Sequence, residues 1–139
     1  MAQIVVGYDG SAASEAALEE ALAIAAELGD SVVVAFGYAP PGIWGGEIAE
    51  HEEAIEEFGE RVTKQARDQA AKRGAEIEIV LVAKRAAEAV IEVGDDRDAR
   101  MLVVGGTGES QLKGMILGST ANKLLHLTDR PVLVVPTKG

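Results

Sequence analysis

Glycines at 105, 106 and 108, followed after nine residues by Gly118-Ser119-Thr120, form a pattern suited to holding an anion. Glycine lets the backbone take positive φ and lets a phosphate approach main-chain N–H groups with no Cβ in the way. Gly118, Ser119 and Thr120 add free amides, two hydroxyls and the positive end of a helix dipole, provided a helix begins there. Lys113, within the intervening segment, is placed either to reach a β- or γ-phosphate or to sit solvated on a loop. Neither familiar nucleotide motif is present: there is no Gly-x4-Gly-Lys-Ser/Thr, and Gly106-x-Gly108 lacks the third glycine of a dinucleotide fingerprint because position 111 is Gln. A second turn, Gly7-Tyr8-Asp9-Gly10-Ser11, also qualifies as a ligand loop. Phosphoryl transfer needs a group to orient the attacking water, and only Asp9 is an obvious candidate, so any hydrolysis is expected to be slow and no catalytic residue is assigned.

Both turns must be positioned by the elements around them. Five runs rich in branched aliphatics read as strands: Ile4 to Val6, Val32 to Phe36, Ile77 to Val82, Met101 to Val104 and Val132 to Val135. Between them lie helical patterns. The first runs from Ser11, a candidate N-cap, to Leu28, with Leu18, Leu22 and Ala25 on one face, Glu15, Glu19 and Glu27 toward water, and Gly29 as the stop. The second covers about Glu47 to Arg73, with Ile48, Ile55, Phe58, Val62 and Ala66 as its apolar stripe. The third, Ala86 to Val93, is short, and the fourth begins near Gly118 or Ser119 and buries Ala121, Leu124 and Leu125.

Strict alternation of strand and helix implies an α/β fold, with parallel strands joined by right-handed crossovers and helices on both faces of an open sheet. Ligands in such sheets bind beyond the carboxyl ends of the strands, near the point where strand order reverses. Glu76 and Glu78 alternate with Ile77 and Ile79, as suits a sheet edge, and Pro131 opens the last strand, which is expected at an edge or paired with another chain. The segment Gly37 to Gly46 is a loop with an apolar tip, where Ile43 and Trp44 either cover a ligand, meet a partner or pack back onto the domain.

Composition sets the boundaries. A chain of 139 residues is one domain's length, and 47% apolar with 26% charged residues is the composition of a water-soluble globule. No apolar run approaches the ~20 residues that cross a bilayer. The first residues carry no export signature and there is no cysteine, which makes the cytoplasm the expected location. A net charge of −10 disfavours nucleic acid and anionic membrane surfaces as partners, so an anionic ligand must be held locally. His51 and His126 are read as surface residues, Asp95, Asp96 and Asp98 as a solvated turn, and no Ser/His/Asp set is evident.

The spacing Gly105-x2-Gly108-x9-Gly118-Ser119 resembles the ATP-binding signature of the universal stress protein family. The opening Ile-Val-Val-Gly-Tyr-Asp-Gly-Ser, the strand Met101 to Gly105, and Leu117-Gly-Ser-Thr-Ala-Asn with Pro131-Val-Leu-Val-Val are similar to the same family, so the resemblance covers residues 1–139 as one nucleotide-binding domain. It implies a Rossmann-like sheet of five parallel strands in the order 3-2-1-4-5, and a homodimer formed through the last strand, Val132 to Val135. It also implies an adenine nucleotide (ATP, AMP or ADP) bound with Mg2+ or Mn2+. On that resemblance Asp9 meets the ribose or the metal, and the strand end around Phe36 offers backbone contacts to adenine. Gly105, Gly106, Gly108, Gly118, Ser119 and Thr120 hold ribose and phosphates, with Asn122 a further candidate. The implied role is a stress-response regulatory module with at most slow ATP hydrolysis; the alternatives are a slow ATPase and a dimeric adaptor that binds no nucleotide. The chain departs from the family at Ala83-Lys84-Arg85, where a basic turn either faces the nucleotide or caps a carbonyl end, and at Arg100, read as surface variation.

Overall fold

In the computed structural model, residues 2–38, 48–106 and 118–137 are described, with side chains for all of these except 48–55. The chain alternates strand and helix throughout: β1 (Gln3–Gly7), α1 (Ala12–Leu28), β2 (Ser31–Gly37), α2 (Ile48–Ala71), β3 (Ile77–Val82), α3 (Ala86–Asp96), β4 (Met101–Gly105), α4 (Ser119–Leu127) and β5 (Val132–Val135). The strands form one parallel sheet in the order β3-β2-β1-β4-β5, as expected.

Side chains alternate across a strand, and here both faces are covered, which is why the central strands read as unbroken apolar runs. Ile4 and Val6 of β1 and Val34 of β2 face the layer made by α1 and α2, where Leu18, Leu22, Val62 and Ala66 pack. Val5, Val33, Leu102 and Val104 face the opposite layer, with Val90, Val93 and Leu124 from α3 and α4. β3 and β5 lie at the edges, and Glu78 on β3 is exposed and pairs with Arg97.

Local chemistry sets the boundaries of α1. The Ser11 hydroxyl accepts a hydrogen bond from the Ser14 N–H at 3.2 Å, and Gly29 closes the helix in the left-handed region at φ 72°. Asp30, just beyond, forms an ion pair with Arg100 at 2.6 Å, and that contact, a hydrogen bond from Arg100, holds its carboxyl below the usual range. Arg100 therefore ties α1's exit to the start of β4, where the sequence suggested only surface variation.

Some sequence-based expectations need correction. α2 ends at Ala71, short of the expected Arg73. α3 continues past Val93 to Asp96, because Gly94 is a packing residue: a Cβ there would lie 2.6 Å from Leu102 Cδ2. Asp95, Asp96 and Asp98 are exposed, as a solvated turn requires, and Asp95 and Asp98 in addition hold Arg130, at 3.1 and 3.0 Å. Leu125, expected in the core, is 49% exposed, since the buried seam of α4 is Ala121 and Leu124 and the next position turns outward; Phe58, placed in the apolar stripe of α2, is 43% exposed.

Candidate functional site

β1, β2 and β4 each end in glycine, at Gly7, Gly37 and Gly105, and all three glycines open onto one cleft of about 760 Å3 at the carboxyl edge of the sheet. Its size lies within the ~300–1,000 Å3 of small-ligand sites. The strongest steric demand falls on Gly105. A Cβ there would come within 2.6 Å of Ala13 Cβ and 2.7 Å of the Ala13 carbonyl, so the first turn of α1 sits directly against the end of β4.

That contact brings two helix N-termini to the same space. On α4 the first intrahelical bond runs from Asn122 N–H to Gly118 O at 3.0 Å, and Gly118 supplies no side-chain cap. Among the described residues, the N–H groups of Ser119, Thr120 and Ala121 therefore have no acceptor. On α1 the Ser14 and Glu15 N–H groups are satisfied by Ser11, which leaves those of Ala12 and Ala13. Free amides at helix starts attract anions.

The turn from β1 to α1 is held by its own polar groups. Asp9 Oδ1 accepts the Ser11 N–H at 2.9 Å, Asp9 N–H donates to Ser14 Oγ at 3.3 Å, and Gly10 takes φ 84°. From α2, Gln65 Nε2 donates to Gly10 O at 3.1 Å and to Glu15 Oε1 at 2.7 Å. Beneath the turn, Tyr8 is buried and its phenol is pushed up to about 12, first by burial and then by the charge of Glu15. Its hydroxyl donates to Gln69 Oε1 at 3.3 Å.

The cleft gathers most of the residues singled out in the sequence: Asp9, Gly105, Gly118, Ser119 and Thr120 all line it. Gly106 does not, and its backbone is already engaged: its N–H donates to Val135 O at 2.9 Å and its carbonyl accepts the Gly118 N–H at 2.7 Å. Its place is in the frame that fixes α4 against β5. Phe36 is 3% exposed and packs into the α1–α2 core beside Phe58 and Tyr38, while its neighbours Ala35 and Gly37 line the cleft. Lys84 ion-pairs with Glu92 at 2.7 Å along the flank of α3 and is absent from the described lining. Gly108, Lys113 and the Ile43–Trp44 tip lie outside the described residues.

Sequence reasoning missed the contribution of α2. Phe58, Arg61, Val62 and Gln65 form one wall of the cleft, at a spacing that places them on one helix face. The signal was there, in polar residues interrupting the edge of an apolar stripe. Arg61 and Asp9 are the two charged groups among the described lining residues.

Among the described residues no group of three His, Cys, Asp or Glu side chains could hold a metal ion. Asp9 alone, with one oxygen engaged by Ser11, fits a cation that arrives bound to phosphates and not one held by protein ligands alone. No helix of the described residues is long and apolar enough to cross a membrane.

A sequence model of the universal stress protein family matches residues 1–136. The chain belongs to this family. It is 28% identical to the universal stress protein YxiE of Bacillus subtilis, over 96% of this chain and 97% of that one. A universal stress protein of Methanocaldococcus jannaschii is also 28% identical, over 96% of this chain and 81% of its own length. Among solved structures, a universal stress protein in complex with cAMP superposes with a TM-score of 0.76 at 28% identity, covering 99% of this chain and 98% of that one. The universal stress protein of Archaeoglobus fulgidus in complex with dAMP gives a TM-score of 0.69 at 25% identity, covering 97% of each chain. The universal stress protein fold accounts for the sheet order found here, and its glycine-ended strands frame the cleft.

Proposed function

We propose that this universal stress protein is a single-domain module that binds an adenine nucleotide in the cleft at the carboxyl edge of its sheet, and that it acts as a regulator and not as an efficient catalyst. The observation that carries this reading is the convergence of the α1 and α4 N-termini on a glycine floor. Phosphates would lie at the α4 end, against the Ser119 and Thr120 amides. The opposite end, lined by Ala35, Gly37, Phe58 and Val62, is the less polar one and would take the base. Relatives of the same fold in complex with cAMP and dAMP support a purine mononucleotide as the ligand class. ATP is the form we assign, with Mg2+ or Mn2+ held between its phosphates and Asp9, where the cation would neutralise phosphate charge.

Asp9 is the one carboxylate in the described lining, and it is already committed to the turn. That favours retention of the nucleotide over turnover. The reading extends to a cytoplasmic homodimer joined through β5, whose outer edge has no strand partner among the described residues.

The test is calorimetric titration of nucleotide-stripped protein with ATP and Mg2+, beside a Ser119→Asp variant. An acidic residue at the start of α4 suits the helix dipole and preserves the fold, but it repels phosphate. Binding by the parent, weakened about tenfold or more in a variant of unchanged stability, is expected. No binding by the parent would refute the reading in favour of a nucleotide-free adaptor.

A further inference from the structure

The α2 wall contains a run of flat groups leading outward from the core, the first two rings tilted 47° to one another. Phe58 packs against buried Phe36 with ring centroids 5.7 Å apart, and the Arg61 guanidinium lies over the Phe58 ring at 5.6 Å from its centroid. That is inside the ~6 Å within which a cation is attracted to a π face. Phe58 and Arg61 both line the cleft, together with Ala35 and Gly37 at the end of β2. Ala35 buries its methyl in the α3–α4 layer and a Cβ on Gly37 would meet the Lys84 carbonyl at 2.8 Å, so both border the cleft opposite this wall through their backbone. One turn further along α2, Gln65 fastens the helix to the Gly10 carbonyl, which fixes the wall relative to the floor.

Most of the other arginines, Arg85 aside, have a polar partner among the described residues. Arg73, Arg97, Arg100 and Arg130 are bound to carboxylates, and Arg67 donates to the Ile77 carbonyl. Among the described residues Arg61 forms no ion pair, although Glu57 lies one helical turn before it. Its guanidinium carbon lies over the Phe58 ring, and the residue as a whole is exposed. A guanidinium is planar and more weakly hydrated than an ammonium, and it stacks on aromatic rings; lysine cannot reproduce this.

We infer that Arg61 is a ligand-binding residue that stacks on the base of the bound nucleotide, forming a Phe58–Arg61–base sandwich. The inference rests on the nucleotide-binding reading and adds to it the residue that holds the base. The base is recognised by its flat face, so the contact accepts a purine irrespective of the number of phosphates attached.

The experiment is titration of the parent, Arg61→Lys and Arg61→Gln with adenosine, AMP and ATP. Both variants are expected to weaken all three ligands by the same factor, about three- to tenfold. Arg61 is exposed, so the urea midpoint of each variant should match that of the parent. A loss that grows with phosphate number would overturn the inference and make Arg61 an anion clamp. Parental affinity in Arg61→Lys would overturn it as well, because charge alone would then suffice. Nucleotide binding by the parent with unchanged variants refutes the stacking role alone, whereas a parent that binds none of the three removes the nucleotide-binding reading and this inference with it.

Discussion

Gly105→Ala offers the sharpest check on how the two helix N-termini are brought together. The added Cβ would stand 2.7 Å from the Ala13 carbonyl carbon and oxygen, about 0.7 Å inside the 3.4 Å at which ordinary contact begins. Those are backbone atoms in the first turn of a helix, so no rotamer change relieves the clash and α1 must move. Overpacking of this kind costs about 2–3 kcal/mol. With a urea slope near 2 kcal/mol/M for a domain of this size, the midpoint should fall by about 1 M. Gly29→Ala is the matched control. Gly29 has φ 72° with nothing within 4 Å of the added Cβ, so only the left-handed strain of roughly 1 kcal/mol applies. Its midpoint should fall by about half as much. A Gly105→Ala midpoint equal to or above that of Gly29→Ala would refute the argument that β4 must end in glycine to admit α1.

Three further outcomes are expected. The Tyr8 phenol, pushed up to about 12 by burial from its ordinary value of about 10, is neutral in the folded chain where the unfolded chain would ionise it. Its contribution to stability is full below about pH 10 and is lost as the pH rises toward 12, so urea midpoints measured across that window should decline less steeply in Tyr8→Phe than in the parent; identical slopes would count against it. Asp9→Asn keeps an acceptor for the Ser11 N–H and should leave stability within about 0.5 kcal/mol, while abolishing the Mg2+ dependence of ATP affinity in paired titrations; a dependence that survives removes Asp9 as the metal contact. At the sheet edge, Pro131 and Val135 turn their carbonyls to β4, so by alternation the peptide groups of Val132 and Val134 face outward. Val134→Pro deletes an outward donor and should yield folded monomers in sedimentation velocity; persistence of a dimer would place the interface elsewhere.

Much of this molecule could be read from its sequence because the signals were local. Ser11 and Gly29 bound α1 through their own backbone and side-chain chemistry, and unbroken apolar strands such as Ile4 to Val6 announced a sheet covered on both faces. The Gly105 and Gly118 region was legible for the same reason. What escaped were features set by distant partners. The sequence pattern ended α3 at Val93 because nothing local marked the packing of Gly94 against Leu102, and nothing local marked the tie from Asp95 and Asp98 to Arg130, 35 and 32 residues away. Gly106 reads as a phosphate glycine in sequence, yet its N–H belongs to Val135. Arg61 lies far from either glycine turn in sequence, and only the packing of α2 over Gly10 brings its wall to the cleft.

The glycine floor has a bearing on how such a site can be altered. At Gly7, Gly37 and Gly105 the surface offered to a ligand is the peptide group itself, which every amino acid carries. A Cβ added there would strike Val90, the Lys84 carbonyl or Ala13, so replacement disturbs the packing around the cleft and gives it no new polar group. Retuning the site for a different guest therefore falls to the α2 wall, where Phe58, Arg61 and Val62 present side chains that can be exchanged for others without moving the sheet. Selection for new specificity in the laboratory should accumulate its changes along that one helix, and libraries confined to the floor should return mainly destabilised variants.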